Sequence, residues 1–227
     1  QLQTKLVLIT TLALIFFGTA MFWLLEVDNL NTLFGLGVDK QVMGSFFQGG
    51  VTPRTAGFNT LDYSKMSPST QHLTMLLMFI GASPGSAAGG LKTTAVAILV
   101  LSLLNTMRGR PMEAFKRRIR DDQVRRVLVM LVIGLIVVNG AIFVLSVSEQ
   151  TILAKERGYQ QLSFEVVSAF ATTGLSTGVT SDFSDFGKFV LAFCMFLGRV
   201  GPVTLVLSIG RKTRASFDYP HETVMLG

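Results

Sequence analysis

The chain alternates long apolar runs with short polar interruptions. Residues 6–25 and 127–148 carry no charged side chain. Each meets the roughly 20 residues needed to cross about 30 Å of hydrocarbon at about 1.5 Å rise per residue. Residues 189–210 are long enough too, but Arg199 stands near their centre. Residues 67–107 hold a single charge, Lys92, and as one straight helix would be about twice too long for the bilayer. Their middle, GASPGSAAGGLKTT over 81–94, is dense in helix breakers. The pattern therefore predicts a helix over 69–80, an irregular segment, and a helix over 95–107. The first run lacks a small-residue cleavage site and exceeds a secretory apolar core, so it reads as a span.

Charge gives the sidedness. Arg108, Arg110, Lys116, Arg117, Arg118, Arg120, Arg125 and Arg126 cluster between two spans, and Arg211, Lys212 and Arg214 follow the last. Cytoplasmic loops hold the Lys/Arg excess, so both clusters and both termini are placed inside. Beside several spans the basic run is not read as a nucleic-acid patch.

The outer segments 26–68 and 149–188 are too long for turns and too apolar for solvent loops. Residues 41–51 and 161–171 each supply about three helical turns, too short to span. Each leads to a small-residue run, TAGFNT over 55–60 and TTGLST over 172–177. Their glycines are 117 residues apart, and the spans before them start 121 apart. This is a two-copy repeat of span, short re-entrant helix, Gly-containing loop and span. Irregular backbone at membrane depth survives only where protein buries it or water reaches it. A short helix followed by Thr-x-Gly can aim carbonyls at an axis and replace the water around a cation. Glycine allows the positive φ this requires, and Thr adds a hydroxyl acceptor.

Composition agrees. Hydrophobic residues make up 49% and charged residues 15% of 227, against roughly 25% charged in soluble domains. Mean hydropathy is +0.52. Twenty basic against 14 acidic residues give a net charge of +6. One cysteine, Cys194, excludes an internal disulfide and a cysteine-based metal site. A chain opening on Gln1 is expected to be a fragment or a processed product. The two histidines, His72 and His221, fall on opposite sides of the membrane, and no hydrolytic triad or carboxylate pair lies within a span, so catalysis is not expected.

TPRTAGFNT over 52–60, GSAAGGLKTT over 85–94, GRVGP over 198–202 and the closing YPHETVMLG over 219–227 resemble the Ktr/Trk/HKT superfamily of potassium transporters, most closely the KtrB type. The resemblance runs over essentially the whole chain. It implies an all-α membrane protein of four span–pore-helix–span repeats around one pseudo-fourfold pore, of which this chain would supply the third and fourth. The chain lacks the first two, and reads Ser86-Ala87-Ala88 where Ser-Thr-Ala is expected.

The resemblance also implies roles. Thr55, Ala56, Gly57 and Phe58, with Thr172, Thr173, Gly174 and Leu175, would be two quarters of a potassium filter binding K+ through carbonyls. Gly81, Gly85, Ser86, Gly89, Gly90 and Lys92 would belong to an intramembrane gating loop, with Arg199 facing the cavity beside it. Expected partners are a second copy, a cytosolic ring of nucleotide-binding regulatory subunits, the absent first two repeats and the bilayer of a bacterial plasma membrane. No cofactor is expected; K+ is the substrate, and Na+ an activator.

The residues themselves weigh as follows. A mid-span Arg199 lies about 16–18 Å from either end of its run, beyond snorkelling reach. Lys92 fits either a gating role or snorkelling to the inner headgroups. Gly90-Leu-Lys-Thr is no phosphate loop, because its lysine does not follow the glycine and no strand precedes it. Asn139 reads as an interhelical hydrogen bonder. Arg54 either braces the loop at Thr55 or sits in water. The chain then divides into a pore repeat over 1–110 with a broken second span, a cytoplasmic basic linker over 111–126, a second repeat over 127–214 and a cytoplasmic tail over 215–227. The expected function is gated potassium uptake; the alternative is a carrier with rocking repeats. Parallel copies around an axis along the membrane normal favour the pore.

Overall fold

The computed structural model describes residues 2–86, 88–109, 112–115 and 117–201. Ala87, Arg110, Lys116, Pro202, Arg211, Lys212, Arg214, His221 and the whole tail 215–227 lie outside the described residues.

Two helices are long and apolar enough to cross a membrane, α1 (Leu2–Glu26) and α5 (Asp121–Ser148). One lies in each half of the chain. Helix α2 (Val38–Ser45) follows α1 and runs on through a π-helical stretch, Phe46–Val51, and a 3₁₀ turn, Thr52–Arg54. The short helix expected over 41–51 is thus longer and changes its winding midway. The cause is tertiary. A side chain on Gly18 of α1 would collide with the carbonyl of Gly49, and one on Gly49 with that of Gly18. The two backbones meet directly, and a widened turn at a Gly-Gly pair permits it.

After a 3₁₀ turn at Tyr63–Lys65 comes α3 (Pro68–Phe79), then an irregular segment, then α4 (Thr93–Met107). The predicted helix–break–helix is present, each boundary within two residues. Between α4 and α5 a two-residue antiparallel ribbon pairs β1 (Glu113–Ala114) with β2 (Arg117–Arg118), a small departure from the all-helical expectation. Helix α5 begins at Asp121, inside the stretch expected as linker. Two aspartates in its first turn complement the positive end of the helix dipole, so Arg125 and Arg126 sit on the helix. Asn139 bonds Leu135 O of its own helix at 2.8 Å, not a neighbouring helix.

In the second copy a four-residue turn, α6 (Gln150–Leu153), leads to α7 (Gly158–Ala171), and a loop leads on to α8 (Asp185–Val200). All of α7 except Tyr159, Gln160 and Gln161 is buried. It packs against α3, α5 and α8 and is the core of the molecule. Phe164 and Phe170 are its largest buried side chains; Phe164 meets the Tyr63 ring and Phe170 stacks on Phe79. Helix α8 ends at Val200, where Gly201 takes φ 82° and ψ 132°; the rest of the run expected to span, 202–210, lies outside the described residues. Arg199 therefore lies in the final turn of a helix, not in the middle of a continuous one.

Both copies tie their elements with a buried glutamate that the periodicity does not announce. Glu26 closes α1 and accepts from Asn29 Nδ2 and Thr32 Oγ1 at 2.6 Å each and from Ser67 N at 2.8 Å. Glu149 follows α5 and accepts from Ser184 N at 3.2 Å and from Ser184 Oγ. Ser67 and Ser184 are the N-caps of α3 and α8. At the exposed edge, Lys155 donates to Asp182, and that hydrogen bond, then the ammonium charge, holds the Asp182 carboxyl below its ordinary range.

Removing either buried carboxylate strands N-terminal donors of the helix it braces. Glu26→Ala and Glu149→Ala are each expected to cost about 1–3 kcal/mol, read as a lower thermal midpoint of the purified protein in detergent. The two brace different copies and share no partner, so the double variant should show the sum.

Candidate functional site

The two Thr-x-Gly loops have the same unusual backbone. Thr55 and Gly57 have φ of 66° and 73°, and Thr172 and Gly174 have 51° and 87°. Positive φ at the glycines follows from their lack of Cβ. At a threonine it is strained, because a β-branched side chain crowds the left-handed region. The same strain, two residues before a glycine, appears in both copies. The loops also touch: a Cβ on Gly57 would stand 3.2 Å from the Thr173 carbonyl oxygen, and one on Gly174 would stand 3.4 Å from Gly57 Cα. Residues 117 positions apart are thereby brought to one point.

The side chains depart from expectation. The Thr55 hydroxyl donates to its neighbour Arg54 O at 2.6 Å, and the Thr172 hydroxyl accepts from Gly89 N at 2.8 Å. Thr173 Oγ1 is buried without a hydrogen-bond partner among the described residues. The hydroxyls at 55 and 172 are thus engaged within the protein, which leaves main-chain carbonyls as the loops' common resource. Phe58 is exposed, whereas Leu175 is buried. Arg54 has Nε and Nη1 buried with no hydrogen bond among the described residues, so of the two readings the one in water does not hold.

Two further residues hold the loops and were not singled out from the sequence. Gln48 Oε1 accepts from Thr60 N at 3.2 Å while its Nε2 donates to Leu61 O at 3.0 Å. Glu165 Oε1 accepts from Thr177 N at 2.8 Å, and the same carboxylate takes hydroxyl donors from Ser176, Thr177 and Thr180. Both residues are buried. The 117-residue offset between the glycines was the available signal: it also relates 48 to 165 and 60 to 177.

The broken segment closes on itself below these loops. Leu91 N bonds Phe79 O at 3.1 Å and Thr93 N bonds Ala82 O at 3.3 Å, which ties its two ends together. Gly85 and Gly90 take positive φ. Ala88, Gly89, Gly90 and Leu91 are buried, while Pro84, Gly85 and Ser86 form an exposed tip. Gly81 packs against Gly89 O. Gly89 N donates to Ala171 O at 3.1 Å as well as to the Thr172 hydroxyl. The segment is therefore docked on the carboxyl-terminal end of α7, where the second Thr-x-Gly loop begins. Half of it is held by contacts that its small residues alone did not suggest. Gly198 lies on the other side of that helix end, with no room for a Cβ beside Phe170 O.

Lys92 reaches back over the segment and donates to Ala88 O and, at 3.3 Å, to Ser86 O. Its ammonium thus lies on carbonyls of the segment. Arg199 lies near enough for its charge to act on Lys92, so the geometry brings two cations to the same segment. Among the described residues no group of three or more His, Cys, Asp or Glu is placed to hold a metal ion.

The chain matches the family model described as TrkH, cation transport protein, over residues 1–216. It is 40% identical over 230 residues to the potassium/sodium uptake protein NtpJ of Enterococcus hirae, covering 100% of this chain and 50% of that protein. It is 37% identical over 228 residues to the Ktr system potassium uptake protein B of Bacillus subtilis, again 100% of this chain and 50% of the other. The corresponding protein of Vibrio alginolyticus is 34% identical, at 100% and 49% coverage. The crystal structure of the potassium transporter TrkH from Vibrio parahaemolyticus shares the fold at TM-score 0.69 and 20% identity, over 88% of this chain and 43% of that one. The chain thus spans about half the length of the relatives it matches. The family is one of ion transporters and not of enzymes. A mostly helical membrane chain with this fold and this family match over 216 of its 227 residues belongs to the TrkH family of cation transport proteins.

Proposed function

We propose that this chain supplies two of the four quarters of a gated pathway for potassium uptake across a bacterial plasma membrane. The observation that carries the reading is the meeting of Gly57 and Gly174, each two residues after a threonine in the left-handed region. Two neighbouring loops with one backbone geometry, joined at their tips, are what adjacent quarters of a carbonyl-lined filter require. The uptake proteins it resembles are named for potassium, or for potassium and sodium.

The rest follows from charge and hydrogen bonding. The carboxyl end of α7 carries the negative pole of its dipole to the base of the Thr172–Leu175 loop, which favours a cation there. In this reading Thr55, Ala56, Gly57, Phe58, Thr172, Thr173, Gly174 and Leu175 contribute carbonyls. One glycine per loop leaves fewer ordered rings than a five-residue potassium-channel signature, so discrimination against sodium is looser. Beneath the loops, Gly81, Gly85, Ser86, Gly89, Gly90, Lys92 and Arg199 act as a gate. The positive charges of Lys92 and Arg199 raise the barrier to a passing cation, and the anchored loop blocks its path. The first two repeats would complete the ring. A cytosolic nucleotide-binding ring would dock on the basic face and bias the gate, a second copy would pair through the tail 215–227, and sodium would stimulate uptake.

Two experiments in cells lacking other potassium uptake systems test this, using the full-length protein. Gly57→Ser and Gly174→Ser place a Cβ where φ is positive and the partner loop touches. Each should raise the KM for potassium or admit sodium, and unchanged selectivity in both removes the filter assignment. Lys92→Ala and Arg199→Ala should raise maximal flux while leaving apparent affinity near the parent value, because the filter sets affinity and the gate sets throughput. Lower flux at normal protein abundance would make the segment a structural support instead.

A further inference from the structure

We infer that Gln48 and Glu165 are paired positioning residues that fix the width of the pathway, each through an acceptor oxygen that takes a main-chain N–H of the outgoing limb of its loop. The inference rests on the filter reading above. In each copy the brace stands nine residues before the loop glycine, on the re-entrant helix, and its acceptor oxygen takes the main-chain N–H three residues after that glycine. The bridge therefore spans the loop from behind and closes a ring through the helix, the Thr-x-Gly turn and the returning strand of backbone.

A loop of this kind has no ladder of its own. Its inward carbonyls must stay free for an ion, so its N–H groups are what the protein can hold. Thr60 N and Thr177 N are the ones it holds through a side chain from the re-entrant helix. The two braces differ in charge but share the acceptor. At Gln48 the second side-chain atom donates to Leu61 O. At Glu165 the second oxygen accepts from the Thr180 hydroxyl, and a hydroxyl can equally accept from an amide. Glutamine at 165 keeps the bond to Thr177 N and satisfies its own NH₂. The shared geometry, rather than the carboxylate charge, is what the two copies have in common. The hydrogen bonds of each brace go to the outgoing limb of its loop, so each acts through the loop it holds.

The test is the K+:Na+ ratio of initial uptake rates, measured with the full-length protein in proteoliposomes after its abundance and thermal midpoint have been checked. Gln48→Leu and Glu165→Leu remove the acceptor and the other bonds of each brace at similar volume and should each lower the ratio at least about tenfold, the factor that corresponds to a single lost buried hydrogen bond. Glu165→Gln should restore it to within about twofold of the parent. A ratio as low in Glu165→Gln as in Glu165→Leu overturns the inference, since charge would then be the active property; so do leucine variants with the parent ratio. Should the leucine variants not reach the membrane, Gln48→Asn and Glu165→Asp decide, since each keeps the functional group and withdraws the acceptor by one methylene: a lowered ratio is expected, and the parent ratio in both refutes the role of the bond. Gly57→Ser and Gly174→Ser run alongside. If they leave selectivity untouched, the filter reading itself fails; if they alter it while the brace variants do not, the brace alone fails.

Discussion

Backbone that leaves the helical path inside a membrane must find its hydrogen bonds within the protein, and here much of it finds them at one helix end. The last turn of α7 offers carbonyls that no residue of α7 can satisfy. Thr172 N returns to Ala169 O and Thr173 N to Ser168 O, each at 3.0 Å. Ala171 O is taken by Gly89, from a different copy of the repeat. Phe170 O faces Gly89 and Gly198, both without the Cβ that would push them away. The break in one span, the end of another and the start of a Thr-x-Gly loop are thus solutions to the same accounting problem, met at one place.

That convergence explains why the broken segment is made of small residues. Its composition first suggests slackness, yet its inner half is buried and its ends are tied through Phe79 and Leu91. Small side chains let its backbone approach the end of α7 closely; they do not leave it unheld. Among the described residues the tip over 84–86, with Lys92 folded over it, projects from the packing. An element anchored at its base and thin at its tip can shift by breaking few bonds.

Some of this was legible in the sequence and some was not, for separable reasons. The spans, the break after Phe79 and the two loop glycines stand out because apolar run length and Gly/Pro clustering are local signals. The left-handed threonines do not, because threonine disfavours that region and only the surrounding contacts hold it there. The π-helical turn at Phe46–Val51 depends on Gly18, nearly 30 positions earlier, and has no local signature. The end of α8 was readable: a glycine followed by proline is an ordinary helix stop, but hydropathy alone runs straight through it. The braces fall between these cases. A glutamine and a glutamate 117 residues apart look unrelated until the repeat is aligned on its glycines, when both fall at one position of the short helix.

The placement of charge follows from the same geometry. With α8 ending at Val200, Arg199 is in a last turn, where a cation meets the negative end of the helix dipole. Lys92 lies on carbonyls of the broken segment, which serve a similar purpose. Each cation is thus set where unwound or terminal backbone presents excess negative potential, and each belongs to a different copy of the repeat. Their mutual repulsion is the cost of bringing them together. The carbonyls of Ala88 and Ser86 offset that repulsion at Lys92. Loop position and local charge are therefore linked through the carbonyls of Ala88 and Ser86, to which Lys92 donates.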